Sequence, residues 1–317
     1  MVPFSPVRPA MLQPGELVRL VAPSGWVRPD RAAAAIQALT SWGLRAQAAK
    51  SALSRHFYLA GTDEERLDDV NDAFRDPEVR AVLCLRGGYG AQRIIDDIDL
   101  DAVRNDPKLF MGYSDITALH IALWCETRLS TVHGPVAAYL SDADSSTKGS
   151  VHRALMTGDP VVMTADEKES TFDVRVAGRA EGILLGGNLT MLATMAGGRH
   201  KPDLGGAILV IEATNEEPYR VDRSLVQLKR AGWLDGIAGV AVGQFTNCVD
   251  DGPTPTVEQV LSEQLGSFGV PVLGGLPIGH GDQQTTVGLG VPAVLDADSG
   301  TLVAQPVGRP ADQQASG

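Results

Sequence analysis

Lys108-Leu109-Phe110-Met111-Gly112-Tyr113-Ser114-Asp115-Ile116-Thr117 is the stretch on which the fold turns. Residues 108–111 read as a short strand. Ile116, Leu119 and Leu123 then recur at helical spacing. A strand that passes straight into a helix is half of a βα unit. A serine at that corner is pushed out of the sheet, with its hydroxyl at the carboxyl end of the strand. The free N–H groups of the new helix lie beside it, where an oxyanion would form. The match to the nucleophile elbow G-x-S-x-G is incomplete, because Ile116 takes the last glycine position. A serine in this place also suits a plain helix cap.

Working outward, the first half keeps alternating apolar runs with amphipathic stretches. Residues 17–23 read as a strand. A helix opened by Pro29 carries Ala35, Leu39 and Trp42 on one face. Thr62 and Glu65 form a capping box ahead of Leu67, Val70 and Phe74. Residues 79–85 are the next strand, broken by Arg86-Gly87-Gly88-Tyr89-Gly90. This order predicts a largely parallel sheet. Between 145 and 179 the pattern weakens, which marks the connection between two domains. Beyond it come a strand over 207–211 and a helix with Val221, Leu225 and Leu228. A strand over 237–242, a helix capped by Thr256 and Gln259, and a β-rich stretch over 285–304 follow. The expected division is an N-terminal α/β domain, 1–160, a β-rich C-terminal domain, 175–308, and a disordered tail, 309–317.

The chain has 317 residues and a formal net charge of −12. It has no clustered Lys/Arg stripe, which argues against nucleic acid as a partner. No stretch approaches the length of a membrane span, and the proline-rich first fifteen residues lack the apolar run of a signal peptide. Three well-separated cysteines, Cys84, Cys125 and Cys248, form neither a disulfide framework nor a metal site. A cytoplasmic protein without a metal or organic cofactor is expected.

If Ser114 is a nucleophile it needs a base. His120 lies on the same helix, six residues on, and projects from another face. His56, His152 and His200 sit in polar surroundings and read as surface residues. Two candidates remain. His133 ends a strand. His280 has glycine on both sides where an apolar run becomes a loop. Glu212, closing the apolar run over 207–211, is a charge in a place where charges need a partner. Glu216 and Glu217 are its competitors. Gly88-Tyr89-Gly90 lacks the third glycine of a dinucleotide fingerprint, since Arg93 stands there. Its N–H groups can serve an oxyanion or a carboxylate instead.

Taken together, residues 83–90 and 112–117, then Gly186-Gly187-Asn188-Leu189, Glu212 with Pro218-Tyr219-Arg220-Val221-Asp222-Arg223, and Gly279-His280 closely resemble the LD-carboxypeptidase family, which includes the microcin-immunity peptidases. The resemblance covers nearly the whole chain. It implies an N-terminal flavodoxin-like or Rossmann-like domain that carries the nucleophile. A β-rich domain carrying Glu and His follows, with the site between the two. It assigns Ser114, His280 and Glu212 as a catalytic triad and the N–H groups of Asp115 and Gly88 as the oxyanion hole. Arg86, Tyr89 and Asn188 are the expected substrate contacts. The implied reaction is release of the terminal D-alanine from murein tetrapeptides in cell-wall recycling, by a homodimer. The alternatives are an immunity-type peptidase acting on a peptidyl- or aminoacyl-nucleotide antibiotic, and a non-catalytic α/β protein that binds a small ligand.

Overall fold

A computed structural model describes residues 5–250, 252 and 255–310. In chain order the strands and helices of the first half are β1 (Leu17–Val21), α1 (Pro29–Ser41), β2 (Arg45–Ala48), α2 (Asp63–Arg75), β3 (Val79–Cys84), α3 (Leu100–Asn105), β4 (Leu109–Gly112), α4 (Thr117–Thr127), β5 (Thr131–His133) and α5 (Ser145–Met156). The second half holds β6 (Val161–Thr164), β7 (Arg175–Val176), β8 (Arg179–Asn188), α6 (Leu189–Met195), β9 (Ile208–Thr214), α7 (Pro218–Arg230), β10 (Gly239–Thr246), α8 (Val257–Gly266), β11 (Val272–Leu273), β12 (Val287–Leu289), β13 (Val291–Asp296) and β14 (Thr301–Ala304).

One sheet runs β12-β5-β4-β3-β1-β2. Its five strands from the first half are parallel, in the flavodoxin order, with the topological switch between β1 and β3. Strands β1, β3 and β4 are buried almost end to end, as strands covered by helices on both faces must be, while the edge strand β2 is half exposed. The second sheet runs β6-β14-β13-β8-β9-β10-β11-β7. Its centre, β8 to β11, is parallel and its flanks are antiparallel. The expected α/β class, a parallel first sheet followed by a β-rich second half, is what the chain forms.

The local signals fold as their chemistry dictates. Thr62 and Glu65 cap α2 reciprocally, side chain to backbone, at 3.2 and 2.8 Å. Helix α4 is buried on every side through Trp124 because it lies between the first sheet and the β8–α6 corner. Val82, Phe110 and Leu119 therefore share one apolar core with Leu185, Leu209 and Val242 of the second sheet. Gly187 makes that approach possible. A Cβ there would stand 2.7 Å from Thr117 Oγ1.

Several expectations need correction. The segment 145–179 is not a loose connection. Asp144 caps α5 through the Thr147 N–H at 2.6 Å, and β6 already belongs to the second sheet. Strand β12, deep in the second half, pairs antiparallel with β5 and completes the first sheet. Of the expected tail, Arg309 is fixed by hydrogen bonds to Pro9 and Met11. Residues 311–317 lie outside the described residues. His200 is 2% exposed, held between the side chains of Arg199, Asp96 and Glu126, so it is not a surface residue.

Candidate active site

Strand β4 ends at Gly112, and the chain turns through Tyr113 and Ser114 into α4. Ser114 takes φ +63°, the left-handed conformation that L side chains avoid, at a cost of about 1–2 kcal/mol. The corner is held from below by its neighbour. Asp115 is 2% exposed, and its Oδ2 accepts hydrogen bonds from Ser24 Oγ at 2.5 Å and from the Ala91 N–H at 2.8 Å. It thus ties the loops after β1 and β3 to the turn. Burial pushes its carboxyl pKa up, against the pull of those two donors and of Arg66. The Arg66 guanidinium, itself buried, donates to the carbonyls of Pro23 and Gly90 and pairs with Asp63.

Ser114 is half-buried, and its Oγ makes no hydrogen bond among the described residues. The Asp115 and Gly88 N–H groups donate to no backbone or side-chain acceptor among the described residues either. Gly87 presses on the serine: a Cβ there would stand 3.4 Å from Ser114 Oγ.

Glu212 comes from the second sheet, and His280 from the loop between β11 and β12. Glu212 lies inside β9, in register with Asn188 of β8, and is fully buried. The apolar run extends past it to Thr214, so the carboxylate sits in the strand and does not close it. Its Oε2 is 2.6 Å from His280 Nδ1. With Nδ1–H donating to the carboxylate, Nε2 is left as the basic nitrogen. The loop bearing His280 passes so close over β9 that a Cβ on Gly279 (φ +136°) would meet Glu212 Cβ at 3.0 Å. Gln244 of β10 clamps the far side, accepting from the Gly281 N–H at 2.7 Å and donating to the Gln283 carbonyl at 2.9 Å.

One aromatic contact joins the β4–α4 corner to the loop that carries His280. The rings of Tyr113 and His280 stack with centroids 4.3 Å apart and planes 25° apart. Ser114 is thus one residue from the ring that stacks on His280, and His280 is paired with Glu212. His133, the second candidate base, is beside them but 1% exposed, and neither ring nitrogen has a hydrogen-bond partner among the described residues. Burial pushes its pKa down to about 4, although Glu212 works to raise it. It is a neutral imidazole walled into the floor of the site. Of the carboxylate competitors, Glu216 accepts from Thr190 Oγ1 at 2.8 Å and Glu217 pairs with Arg220.

The expected substrate contacts are spread around the serine. Arg86 donates to the Trp26 carbonyl at 2.7 Å. Tyr89 is exposed and meets Tyr58 edge-on. Asn188 caps α6 through the Met191 N–H at 3.2 Å, while its own N–H donates to Thr117 Oγ1 at 3.0 Å. Sequence reasoning missed Tyr113, Ser24 and Gln244. Gln244 alone left a signal, an amide inside the apolar run 240–245. Among the described residues no group of three or more His, Cys, Asp or Glu side chains could hold a metal ion, no helix is long and apolar enough to cross a membrane, and the three cysteines are free thiols.

Both halves of the chain are similar to known proteins. Residues 18–134 match the LD-carboxypeptidase N-terminal domain, and residues 181–295 match the LD-carboxypeptidase C-terminal domain. The murein tetrapeptide carboxypeptidase of Pseudomonas aeruginosa is 34% identical over 289 residues, covering 89% of this chain and 93% of that one. A Bacillus subtilis protein named "Probable murein peptide carboxypeptidase" is 39% identical over 301 residues, 93% of each chain. The crystal structure of muramoyltetrapeptide carboxypeptidase from Oxalobacter formigenes superposes with a TM-score of 0.81 at 30% identity, over 93% of this chain and 99% of that one. The microcin C7 self immunity protein MccF has the same fold, with a TM-score of 0.86 at 24% identity over 95% of this chain and 98% of that one. The chain belongs to the LD-carboxypeptidase family of serine-type peptidases.

Proposed function

We propose that the protein is a serine LD-carboxypeptidase that removes the terminal D-alanine of murein tetrapeptides, with Ser114, His280 and Glu212 as its triad. The observation that carries this reading is a serine in a left-handed strand-to-helix corner whose neighbour Tyr113 stacks on His280, itself 2.6 Å from Glu212. The relatives named as murein peptide carboxypeptidases support the substrate class. At 24% identity, the likeness to MccF speaks for the fold alone.

His280 Nε2 takes the Ser114 hydroxyl proton as Oγ attacks the carbonyl carbon of the L,D-amide. The oxyanion is met by the unpaired N–H groups of Asp115 and Gly88. Losing one such donor costs about 3–4 kcal/mol in enzymes of this kind. The C–N bond breaks as His280 passes its proton to the departing amine, leaving an ester on Ser114. Water then gives a proton to His280, adds to the ester, and releases the shortened peptide as the proton returns to Oγ. Glu212 stays ionised, fixes the imidazole tautomer and stabilises the imidazolium. No step of this scheme calls for a metal or an organic cofactor.

The reading carries further expectations. The reaction belongs in the cytoplasm, on peptides returned from the wall. The chain divides functionally into an N-terminal domain supplying the nucleophile and a C-terminal domain supplying the base. It acts as a homodimer, and the exposed aromatic side chains Phe57, Tyr58 and Tyr89 offer apolar surface for self-association. Light scattering of the purified protein should give twice the chain mass.

Mass spectrometry of an L-Ala–D-Glu–diaminopimelate–D-Ala tetrapeptide incubated with the protein tests the reaction. D-alanine should be released by the native enzyme, not by Ser114→Ala, and about 10⁴-fold more slowly by Glu212→Gln. No release by a folded native protein would refute the murein reading.

A further inference from the structure

The first sheet opens its crevice at the switch between β1 and β3, the usual ligand position in a flavodoxin-like fold. A recess of ≈ 250 Å³ lies there, lined by Trp26, Arg28, Arg31, Arg86 and Tyr139 among others. It holds three arginines and no carboxylate on its wall, in a chain with 39 acidic residues against 27 basic ones. Two of the three arginines are committed: Arg28 pairs with Asp30 at 2.8 Å and Arg31 with Asp142. Arg86 pairs with no carboxylate among the described residues. Its guanidinium is positioned by the Trp26 carbonyl at 2.7 Å and lies 5.9 Å from the Trp26 ring, whose indole also carries Arg55 at 4.3 Å. Gly25 keeps the approach to the guanidinium open. A Cβ on Gly25 would stand 3.3 Å from Arg86 Nε.

The recess adjoins the chemistry. Arg86 immediately precedes Gly87, which presses on Ser114. Consecutive Cα atoms are about 3.8 Å apart, so the backbone that bears Arg86 is one residue from the glycine that touches the nucleophile. A peptide whose scissile bond rests on Ser114 would place its penultimate residues there. Resting on the murein reading above, we propose that Arg86 and its recess bind a free carboxylate of the peptide stem upstream of the scissile bond. Arginine recognises such a group through paired N–H donors. The tetrapeptide offers two, the free carboxyl of D-glutamate and the second carboxyl of diaminopimelate.

The test is calorimetric titration with the product tripeptide, L-Ala–γ-D-Glu–diaminopimelate, which cannot be turned over. It is compared with the same peptide amidated at the glutamate carboxyl and with one amidated at the second diaminopimelate carboxyl. One amidation should weaken binding to the native protein roughly tenfold, the worth of a hydrogen bond to a charged group, and its identity names the carboxylate. Arg86→Gln should bind all three peptides alike and weakly, Arg86→Lys should fall between, and Arg230→Gln should behave as native. The unfolding curve of each variant reports whether it is folded. No binding, no effect of either amidation, or undiminished discrimination by folded Arg86→Gln would overturn the proposal. Release of D-alanine, measured separately, decides the peptidase reading. Release without discrimination removes the recess alone, and discrimination without release removes the hydrolysis alone.

Discussion

The ring of Tyr113 stacks on the imidazole of His280, 4.3 Å between centroids, so the residue before the serine sets the plane of that imidazole. The stacked ring, rather than the hydroxyl, does this work. Tyr113→Phe should therefore keep kcat within about threefold, and Tyr113→Ala should lose about 10²-fold, the cost of a misplacement near 1 Å. Steady-state kinetics on the tetrapeptide checks both. Equal losses would remove the stacking argument.

Strain at Ser114 gives a second expectation. Glycine adopts φ +63° freely, so Ser114→Gly should be inactive yet more stable than Ser114→Ala by about 1 kcal/mol. Urea melts of the two inactive variants measure the difference directly.

Ser24 should matter to the whole corner. Removing its hydroxyl leaves Asp115 with one donor fewer, at a cost of about 1–3 kcal/mol. Losing that donor also raises further a carboxyl that burial already holds above its ordinary range. A raised carboxyl makes the folded state bind protons more readily than the unfolded chain, so stability falls as pH rises. The deficit of Ser24→Ala should be larger at pH 8 than at pH 5 by chemical denaturation.

Acid sensitivity should trace to the floor of the site. The His133 pKa is lowered to about 4 and that of His120 to about 3, both by burial. The unfolded chain takes up these protons from 6.5 downward and the folded protein does not. Stability is thus fully present above pH 6.5 and is lost as pH falls toward 4, by up to about 1.4 kcal/mol per unit for each ring. Asp69, raised to about 6, acts in the opposite sense, so the informative quantity is a difference between proteins. Neither His133 nitrogen is hydrogen-bonded among the described residues, and His133→Leu forfeits none. Its stability should fall less steeply than the native protein's between pH 6.5 and 4.

Much of this was legible in the sequence, and the exceptions have physical reasons. The corner at 112–117 announces itself because the period of the apolar residues changes from strand to helix within three positions. Glu212 and His280 are marked by polarity against an apolar run and by flanking glycines. Arg66 and Lys108 leave no such mark. Each sits where solvent would be expected, yet both side chains are fully buried and donate to loop or helix carbonyls. Strand β12 is three residues long, too short for any period to show, and its partner β5 lies more than 150 residues earlier. The Tyr113–His280 stack joins loop residues more than 160 positions apart, a proximity that only the completed fold creates.

That three-residue strand limits how the molecule can be divided. His280 stands seven positions before Val287, which pairs with His133, so the base is moored to the sheet that bears the serine. A polypeptide cut after residue 160 would leave β5 as an open edge, inviting pairing with other chains. Recombination between relatives faces the same constraint. A second half exchanged as a block carries one strand of the first sheet with it, and its acceptance by a new partner will be decided at β5 before any chemistry is asked of it.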